Sequence, residues 1–188
     1  MRKVTAGLFV SLDGVVESPE KWQLPYFNDE MGEAIGAAMA AADAMLLGRA
    51  TYQEFASSWP GESSEDQPFA DYMNNTPKYV VSTTLEEPLE WNNSTLIKRN
   101  VAEEITRLKQ QPGKNIGITG SATLVQYLLQ EDLLDELGLI VHPVVVGSGK
   151  RLFEGGGEPK GLRLVDLKTF STGVVFLTYQ PAEKEEEG

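Results

Sequence analysis

The sequence predicts a single α/β domain with a mainly parallel, twisted sheet, flanking helices and an antiparallel C-terminal hairpin. Short apolar or β-branched runs alternate along the chain with segments of helical periodicity, the pattern of strands joined by crossover helices. Residues 162–181 instead read as two strands about a turn near Ser171–Gly173. The length of 188 residues fits one domain. We place it at residues 1–181, and expect residues 182–188 to form an acidic, disordered tail.

The predicted strands are short runs rich in apolar and β-branched residues, bounded by turn residues. The segment at 44–48 ends in glycine, and the longest strand carries Pro143. In order, the predicted strands are residues 3–10, 44–48, 78–83, 94–98, 115–120, 135–147 and the two arms of 162–181.

The predicted helices follow these strands and have recognisable ends. Asn28 is a plausible N-cap of the first helix, and Thr51 and Glu54 have the spacing of a capping box at the second. Pro112 ends the fourth helix. In order, the predicted helices are residues 28–42, 51–59, a short one within 68–74, 101–110 and 121–130.

Composition excludes several functional classes. The chain has no cysteine and a single histidine, His142, which excludes disulfides, thiol nucleophiles and zinc sites of Cys and His ligands. We interpret His142, in an apolar strand, as a packed structural residue. The net charge of −12 argues against nucleic-acid binding, which needs a basic face. No apolar run reaches the ~18 residues of a membrane span. We expect a cytoplasmic protein with no metal site and no nucleic-acid or membrane partner.

Three turns at strand ends carry the functional prediction. In open α/β sheets, ligands bind at the carboxyl ends of the strands. A helix N-terminus offers unpaired N–H groups and about half a positive charge to a phosphate, and glycine permits close approach. The turns are Gly48-Arg49, Ser82-Thr83-Thr84 and Gly120-Ser121, and the nearby cations are Lys78, Lys98 and Arg99. Together they predict a site for a dinucleotide that carries an extra phosphate.

Each turn taken alone is more often an ordinary strand–helix junction than a phosphate site. No G-x-G-x-x-G fingerprint follows the first strand. The segment "GSGK" at 147–150 invites comparison with a phosphate loop, but it lacks the upstream glycine and the following helix, which favours a plain loop.

Several segments, in the expected order, resemble known reductases. "WQLP" (22–25), "LLGRATYQEF" (46–55), "KYVVSTT" (78–84) and "IGITGSATLVQYLL" (116–129) are similar to motifs of dihydrofolate reductases. "DELGLIVHPVVVGSGKRLFEG" (135–155) is more similar to the reductase domain of bacterial riboflavin biosynthesis, the RibD C-terminal domain, as is "SLDG" (11–14). The resemblance implies a dihydrofolate reductase-like fold with NADPH as cofactor.

The resemblance also implies residue roles. Gly48, Arg49 and Thr51 would meet phosphates, and Ser82, Thr83 and Thr84 would surround the adenosine 2′-phosphate. Lys98 or Arg99 would lie near the adenine. The diphosphate would face Gly120, Ser121, Ala122 and Thr123. The first loop, from Ser11, would border the nicotinamide.

The substrate side is less defined. Asp13 is the leading candidate for a functional acid, although a turn-forming role before Gly14 has equal weight. Candidate substrate contacts are Ser11, Trp22, Phe27, Tyr52 and Phe153, although aromatic residues at such spacing are more often core. Phe27 stands where true dihydrofolate reductases have an acidic residue, which argues against folate.

We therefore predict an NADPH-dependent reductase of a small pyrimidine- or pterin-like heterocycle. The alternative is a non-catalytic nucleotide-binding or regulatory module of the same fold, and a weaker one is a phosphate-handling enzyme that uses "GSGK". The long apolar strand and "PVVVG" (143–147) suggest a pairing surface, and riboflavin-branch relatives are commonly dimers. We expect a homodimer.

Overall fold

The computed structural model describes residues 1–183, so most of the expected tail lies outside the described residues. The strands in this part of the chain are β1 (Val4–Ser11), β2 (Ala42–Gly48), β3 (Lys78–Val81), β4 (Ser94–Ile97), β5 (Asn115–Thr119), β6 (Glu136–His142), β7 (Leu162–Thr169) and β8 (Val175–Pro181). The helices are α1 (Asp29–Ala40), α2 (Arg49–Ser58), α3 (Ala70–Asn75), α4 (Val101–Gln110) and α5 (Ala122–Gln130), with short 3₁₀ turns at Pro19–Lys21 and Leu24–Tyr26.

The strands form one eight-stranded sheet in the order β4-β3-β2-β5-β1-β6-β8-β7. β1 to β6 pair in parallel with their neighbours, and β8 pairs antiparallel with both β6 and β7. The predicted fold class, including the antiparallel C-terminal hairpin, is confirmed. Because β1, β2, β3 and β5 are all parallel, their carboxyl ends lie at one edge of the sheet.

The sheet has a core on each side. The larger one packs the β1, β5 and β6 side chains of one face against α4 and α5, for example Ile116 and Leu137 against Ile105 and Leu128. On the other face, Met31 of α1 packs against Ile140, and Tyr52 of α2 packs with Leu47 and Trp91. Among residues 1–183, no helix combines the length and the apolar character needed to cross a bilayer.

Most element bounds agree with the prediction to within two residues, and two features differ. Asn28 caps α1 as predicted, since its side chain accepts the Met31 N–H at 3.1 Å. The predicted capping box of Thr51 is wrong: α2 begins at Arg49 behind Gly48, which places Thr51 inside the first turn. The predicted strand 135–147 is also too long. β6 ends at His142, because Pro143 has no N–H to continue the ladder.

Candidate functional site

The turns after β2 and β5 are joined by one hydroxyl. The Gly48 N–H donates to Ser121 Oγ at 2.8 Å, and that hydroxyl donates to Thr51 Oγ1 at 2.8 Å. The turns meet because β2 and β5 are parallel neighbours. Two of the three predicted turns are therefore one structural unit.

The helices that leave this unit begin without side-chain caps. Neither Gly48, before α2, nor Ser121, before α5, makes a side-chain hydrogen bond to its own helix. Gly120 and Ser121 both have left-handed backbone, with φ of 78° and 58°. The first N–H groups of two adjacent helices are thus available to an anion at this edge.

The third turn, after β3, contacts the start of α2 through Arg49. The Arg49 guanidinium donates to Thr84 Oγ1 at 3.3 Å. Ser82 is buried, and its Oγ accepts the N–H groups of Thr84 and Leu85, so its side chain holds the turn. Arg49, Thr83 and Thr84 are exposed and form the solvent-facing part of this turn.

The predicted cations lie in two different places. Lys98 pairs with Glu86 at 2.5 Å and, with Arg99, lines a groove of about 550 Å³ between β4 and α4. Lys78 is fully buried, and its ammonium donates to the carbonyls of Thr76 and Asn92. It cannot reach a phosphate at the strand ends, so its predicted place beside the ligand is wrong.

Lys150 lies at the start of α5, a position that no local sequence pattern indicates. Its Nζ donates to Thr123 Oγ1 at 2.6 Å. Ala122, the first residue of this helix, is buried. The two residues Thr123 and Lys150 are 27 apart in the chain, and only the path of the loop after β6 reveals the contact.

Asp13 anchors that loop. Its carboxylate accepts the Ser11 hydroxyl at 2.6 Å and the N–H groups of Val146 and Gly147 at 3.1 and 2.8 Å. These three donors hold the pKa of Asp13 far below its usual range. Arg151 adds a hydrogen bond from Nε to the Asp13 carbonyl at 3.0 Å. A carboxyl group that stays ionised is a poor proton donor, so the geometry favours the turn-anchoring interpretation of Asp13 over the acid.

The "GSGK" segment donates two of its N–H groups to carboxylates. Gly147 donates to Asp13, and the Lys150 N–H donates to Glu17 at 2.8 Å. A phosphate loop needs these groups for phosphate oxygens. The arrangement argues against the phosphate-handling alternative.

The predicted substrate contacts divide by exposure. Ser11 is buried, and its Oγ also accepts the Val15 N–H, so its side chain does not reach a ligand. Tyr52 is buried as well, with its hydroxyl accepting the Trp91 N–H at 3.1 Å. Their burial and internal hydrogen bonds favour structural roles for these two predicted contacts. Phe27 and Phe153 are 44% and 55% exposed. Trp22 is largely buried and donates its indole N–H to the Glu17 carbonyl.

His142 is packed as the sequence suggested. It is fully buried, with its ring edge-on to Phe9, Trp22 and Tyr26 at centroid distances of 5.5, 5.2 and 5.8 Å. Its Nδ1 lies 2.9 Å from the Ile140 carbonyl. Burial lowers the pKa of His142, against the opposing effect of the Ile140 and Val10 carbonyls. The ring supports Trp22 and Tyr26, which belong to the segment that follows β1.

This packing predicts an acid-sensitive stability. In the unfolded chain, His142 binds a proton near pH 6.5. In the folded chain, the ring stays neutral to a lower pH. The contribution of neutral His142 is therefore complete above about pH 6.5 and is lost progressively as the pH falls below it. Urea unfolding between pH 5 and 7.5 should show this slope in the native protein and not in His142→Phe. Since the chain has one histidine, equal slopes in both proteins would contradict the prediction.

Sequence comparison identifies the family of this chain. A model of the RibD C-terminal domain matches residues 2–176. The uncharacterized protein YyaP of Bacillus subtilis (strain 168) is 32% identical over 183 residues, which cover 95% of this chain and 94% of that protein.

Solved structures show the same fold. A putative riboflavin biosynthesis protein from Shewanella sp. PV-4 superposes with a TM-score of 0.77 at 22% identity, over 97% of this chain and 100% of that one. The Thermotoga maritima diaminohydroxyphosphoribosylaminopyrimidine deaminase/5-amino-6-(5-phosphoribosylamino)uracil reductase superposes at 0.67 and 15% identity, over 96% of this chain and 57% of that one. The family-model match supports an oxidoreductase in general. By the extent of that match and of the likeness to YyaP, the chain belongs to the RibD C-terminal domain family.

Proposed function

We propose that the protein is a cytoplasmic, NADPH-dependent reductase that transfers a hydride to a small pyrimidine- or pterin-like heterocycle, and that it is not a true dihydrofolate reductase. One observation carries the proposal: the uncapped starts of α2 and α5 are joined through Ser121 and flanked by Arg49. In a chain of net charge −12, this edge offers N–H donors and a guanidinium to an anion. The Thermotoga maritima protein of the same fold is a deaminase/uracil reductase, which supports the substrate class.

The residues present fit NADPH. The starts of α2 and α5, at Gly48-Arg49 and Gly120-Ser121, would hold the diphosphate, because the N–H groups of the first turn of each helix receive no cap from the side chain of the residue before it. Arg49, Thr83 and Thr84 would hold the 2′-phosphate, which a guanidinium and hydroxyls suit. The bound cofactor supplies the hydride.

The remaining task of the chain is to orient the substrate and exclude water. Phe27 and Phe153 present exposed rings on which a flat heterocycle can stack. Asp13 keeps the loop after β6 in place through Val146 and Gly147 rather than giving up a proton. The proton that accompanies the hydride is therefore assigned to solvent. Phe27 offers no carboxylate to a pteridine, which is why folate is not proposed.

Replacing Arg49 tests the cofactor assignment. We expect Arg49→Ala to raise the dissociation constant for NADPH by about 10- to 100-fold, because a charge-assisted hydrogen bond of about 1.5–3 kcal/mol is lost. NADH, which lacks the 2′-phosphate, should bind the native protein more weakly and respond less to the change. The measurement is tryptophan fluorescence during titration with each nucleotide.

Two further variants sharpen this test. Arg49→Lys keeps the charge but not the planar fork, and should fall between the native protein and Arg49→Ala. Arg163→Ala, in exposed β7, removes an arginine outside the proposed site and should change neither affinity. If the native protein bound neither nucleotide, or bound both equally, the NADPH assignment would be lost.

A non-catalytic nucleotide-binding or regulatory module is the second candidate. It is favoured by the ionised, fully engaged carboxylate of Asp13, the one acid that the sequence offered at the nicotinamide side. Steady-state oxidation of NADPH in the presence of pyrimidine and pterin substrates separates the two functions. Tight NADPH binding with no turnover of any of these substrates would favour the non-catalytic module.

A further inference from the structure

The loop between β6 and β7 is fixed to the loop after β1, and Lys150 lies at the point of contact. The Lys150 N–H donates to Glu17 at 2.8 Å, and its carbonyl accepts the Val16 N–H at 2.9 Å. Gly149 has φ of 120°, and a Cβ there would lie 3.0 Å from the Val15 side chain, so this close approach requires glycine. The backbone position of Lys150 is therefore set by its neighbours and not by its own side chain.

The side chain of Lys150 extends from this point to the start of α5. Its Nζ donates to Thr123 Oγ1 at 2.6 Å, and Thr123 is the second residue of the helix. The first helical hydrogen bond of α5 runs from the Val125 N–H to the Ser121 carbonyl at 3.0 Å. The N–H groups before Val125 therefore have no helical acceptor, and the lysine ammonium lies beside the positive end of a helix.

Lys150 differs from the other two cations of this loop. Arg151 Nη2 lies 3.9 Å from a carboxylate oxygen of Asp13, and Lys160 pairs with Asp132 at 3.0 Å. In the part of the chain that the structure describes, no carboxylate pairs with Lys150. A cation and the positive end of a helix repel each other, and an anion between them removes that repulsion. Lys150 is exposed, so an anion from solution can reach it.

We propose that Lys150 is a ligand-binding residue that contacts the diphosphate of the bound dinucleotide at the start of α5. This inference rests on the proposed function, in which the N–H groups of α5 help to hold the diphosphate and Arg49 holds the 2′-phosphate. A lysine ammonium suits phosphate oxygens as a point charge, and it adds a full positive charge to the partial charges of the N–H groups. In a chain of net charge −12, a local cation also offsets the general repulsion of an anionic ligand.

This role differs from that of a phosphate loop. In a phosphate loop the backbone N–H groups surround the phosphate, whereas Gly147 and Lys150 donate theirs to Asp13 and Glu17. The segment "GSGK" instead fixes the backbone so that one ammonium reaches the start of α5.

Nucleotide affinity distinguishes the role of Lys150 from that of Arg49. NADPH and NADH share the diphosphate, so we expect Lys150→Met to raise both dissociation constants by the same factor, about 10-fold. Arg49→Ala should act mainly on NADPH, because NADH lacks the 2′-phosphate. Lys150→Arg keeps the charge and should stay within about threefold of the native protein. Lys160→Met removes the same charge from the same loop and should leave both affinities within about twofold.

Inorganic pyrophosphate tests the residue without the rest of the nucleotide. Calorimetric titration should show that pyrophosphate binds the native protein and that Lys150→Met weakens this binding by about fivefold or more. Neither Lys150 nor Lys160 is a buried residue, so both methionine variants should unfold in urea like the native protein. If neither nucleotide binds but pyrophosphate binds through Lys150, the proposed reductase function is lost and the inference about Lys150 stands.

Four results would overturn the inference. The first is that Lys150→Met binds both nucleotides and pyrophosphate as tightly as the native protein, which would leave the reductase function untouched. The second is a loss of affinity for NADPH without a loss for NADH. The third is a loss confined to uridine 5′-monophosphate, with uridine as the reference, which would assign the ammonium to a substrate phosphate. The fourth is that the native protein binds neither pyrophosphate nor either nucleotide, which would remove the inference and the proposed function together.

Discussion

Lys78→Met is expected to lower the free energy of unfolding by about 2–3 kcal/mol. The Lys78 ammonium is completely buried and donates to the carbonyls of Asn74, Thr76 and Asn92 at 3.3, 3.0 and 3.1 Å. It also lies 4.2 Å from the centroid of the Trp91 ring. Methionine has a similar length but donates no hydrogen bond. Three carbonyls that are shielded from water therefore lose their donor.

The cost of burying the charge offsets part of this loss, because the folded state disfavours the protonated form. Burial lowers the pKa of Lys78 to about 8, which leaves most of the ammonium protonated at pH 7. Urea denaturation at pH 7 measures the loss, and Lys3→Met, at an exposed position, is the matched control. A difference between the two variants below about 1 kcal/mol would show that the carbonyls find other partners.

Gly120→Val is expected to destabilise the fold by about 2–4 kcal/mol and to abolish NADPH binding. Gly120 has φ of 78°, which a β-branched residue adopts only under strain. A Cβ at this position would lie 3.3 Å from the Thr51 side chain, within the unit that joins the β2 and β5 turns. The substitution therefore strains the backbone and displaces Thr51 from Ser121 together.

A second glycine separates these two effects. Gly61 has φ of 87°, and a Cβ there would meet nothing within 4 Å. Gly61→Val should therefore cost only the backbone strain, about 1–2 kcal/mol, and leave nucleotide affinity unchanged. Urea unfolding and fluorescence titration measure both quantities. Equal affinity of Gly120→Val and the native protein for NADPH would remove the β5 turn from the proposed site.

Local sequence signals were sufficient for the elements and for the edge at which the turns meet. α4 begins and ends at the predicted residues, because Pro112 and the apolar periodicity are features of neighbouring positions. The convergence of Gly48 and Ser121 followed from placing both turns at the carboxyl ends of parallel strands. The prediction of a capping box at Thr51 is wrong because the same residue spacing also occurs inside a helix. Here Gly48 precedes the first turn.

Side-chain direction and distant contacts were beyond the sequence. Lys78 looks like any strand-start lysine, and only the path of residues 74–76 and 92 brings carbonyls around its ammonium. Tyr52 has the spacing of a ligand-stacking residue but is turned into the core beside Trp91. Asp13 depends on Val146, 133 residues away, for the role that replaced the predicted acid.

The position of β1 in the sheet has a consequence for how the chain folds as it is made. Among the eight strands, β1 is the first to leave the ribosome, yet its neighbours are β5 and β6, which begin at Asn115 and Glu136. A nascent chain that ends before Asn115 can pair β2 with β3 and β3 with β4, but its first strand has no partner. β1 then inserts between two later strands, and the order of synthesis is not the order of assembly. The loops after β1 and β6, which Asp13 joins, therefore close only after most of the chain has been translated.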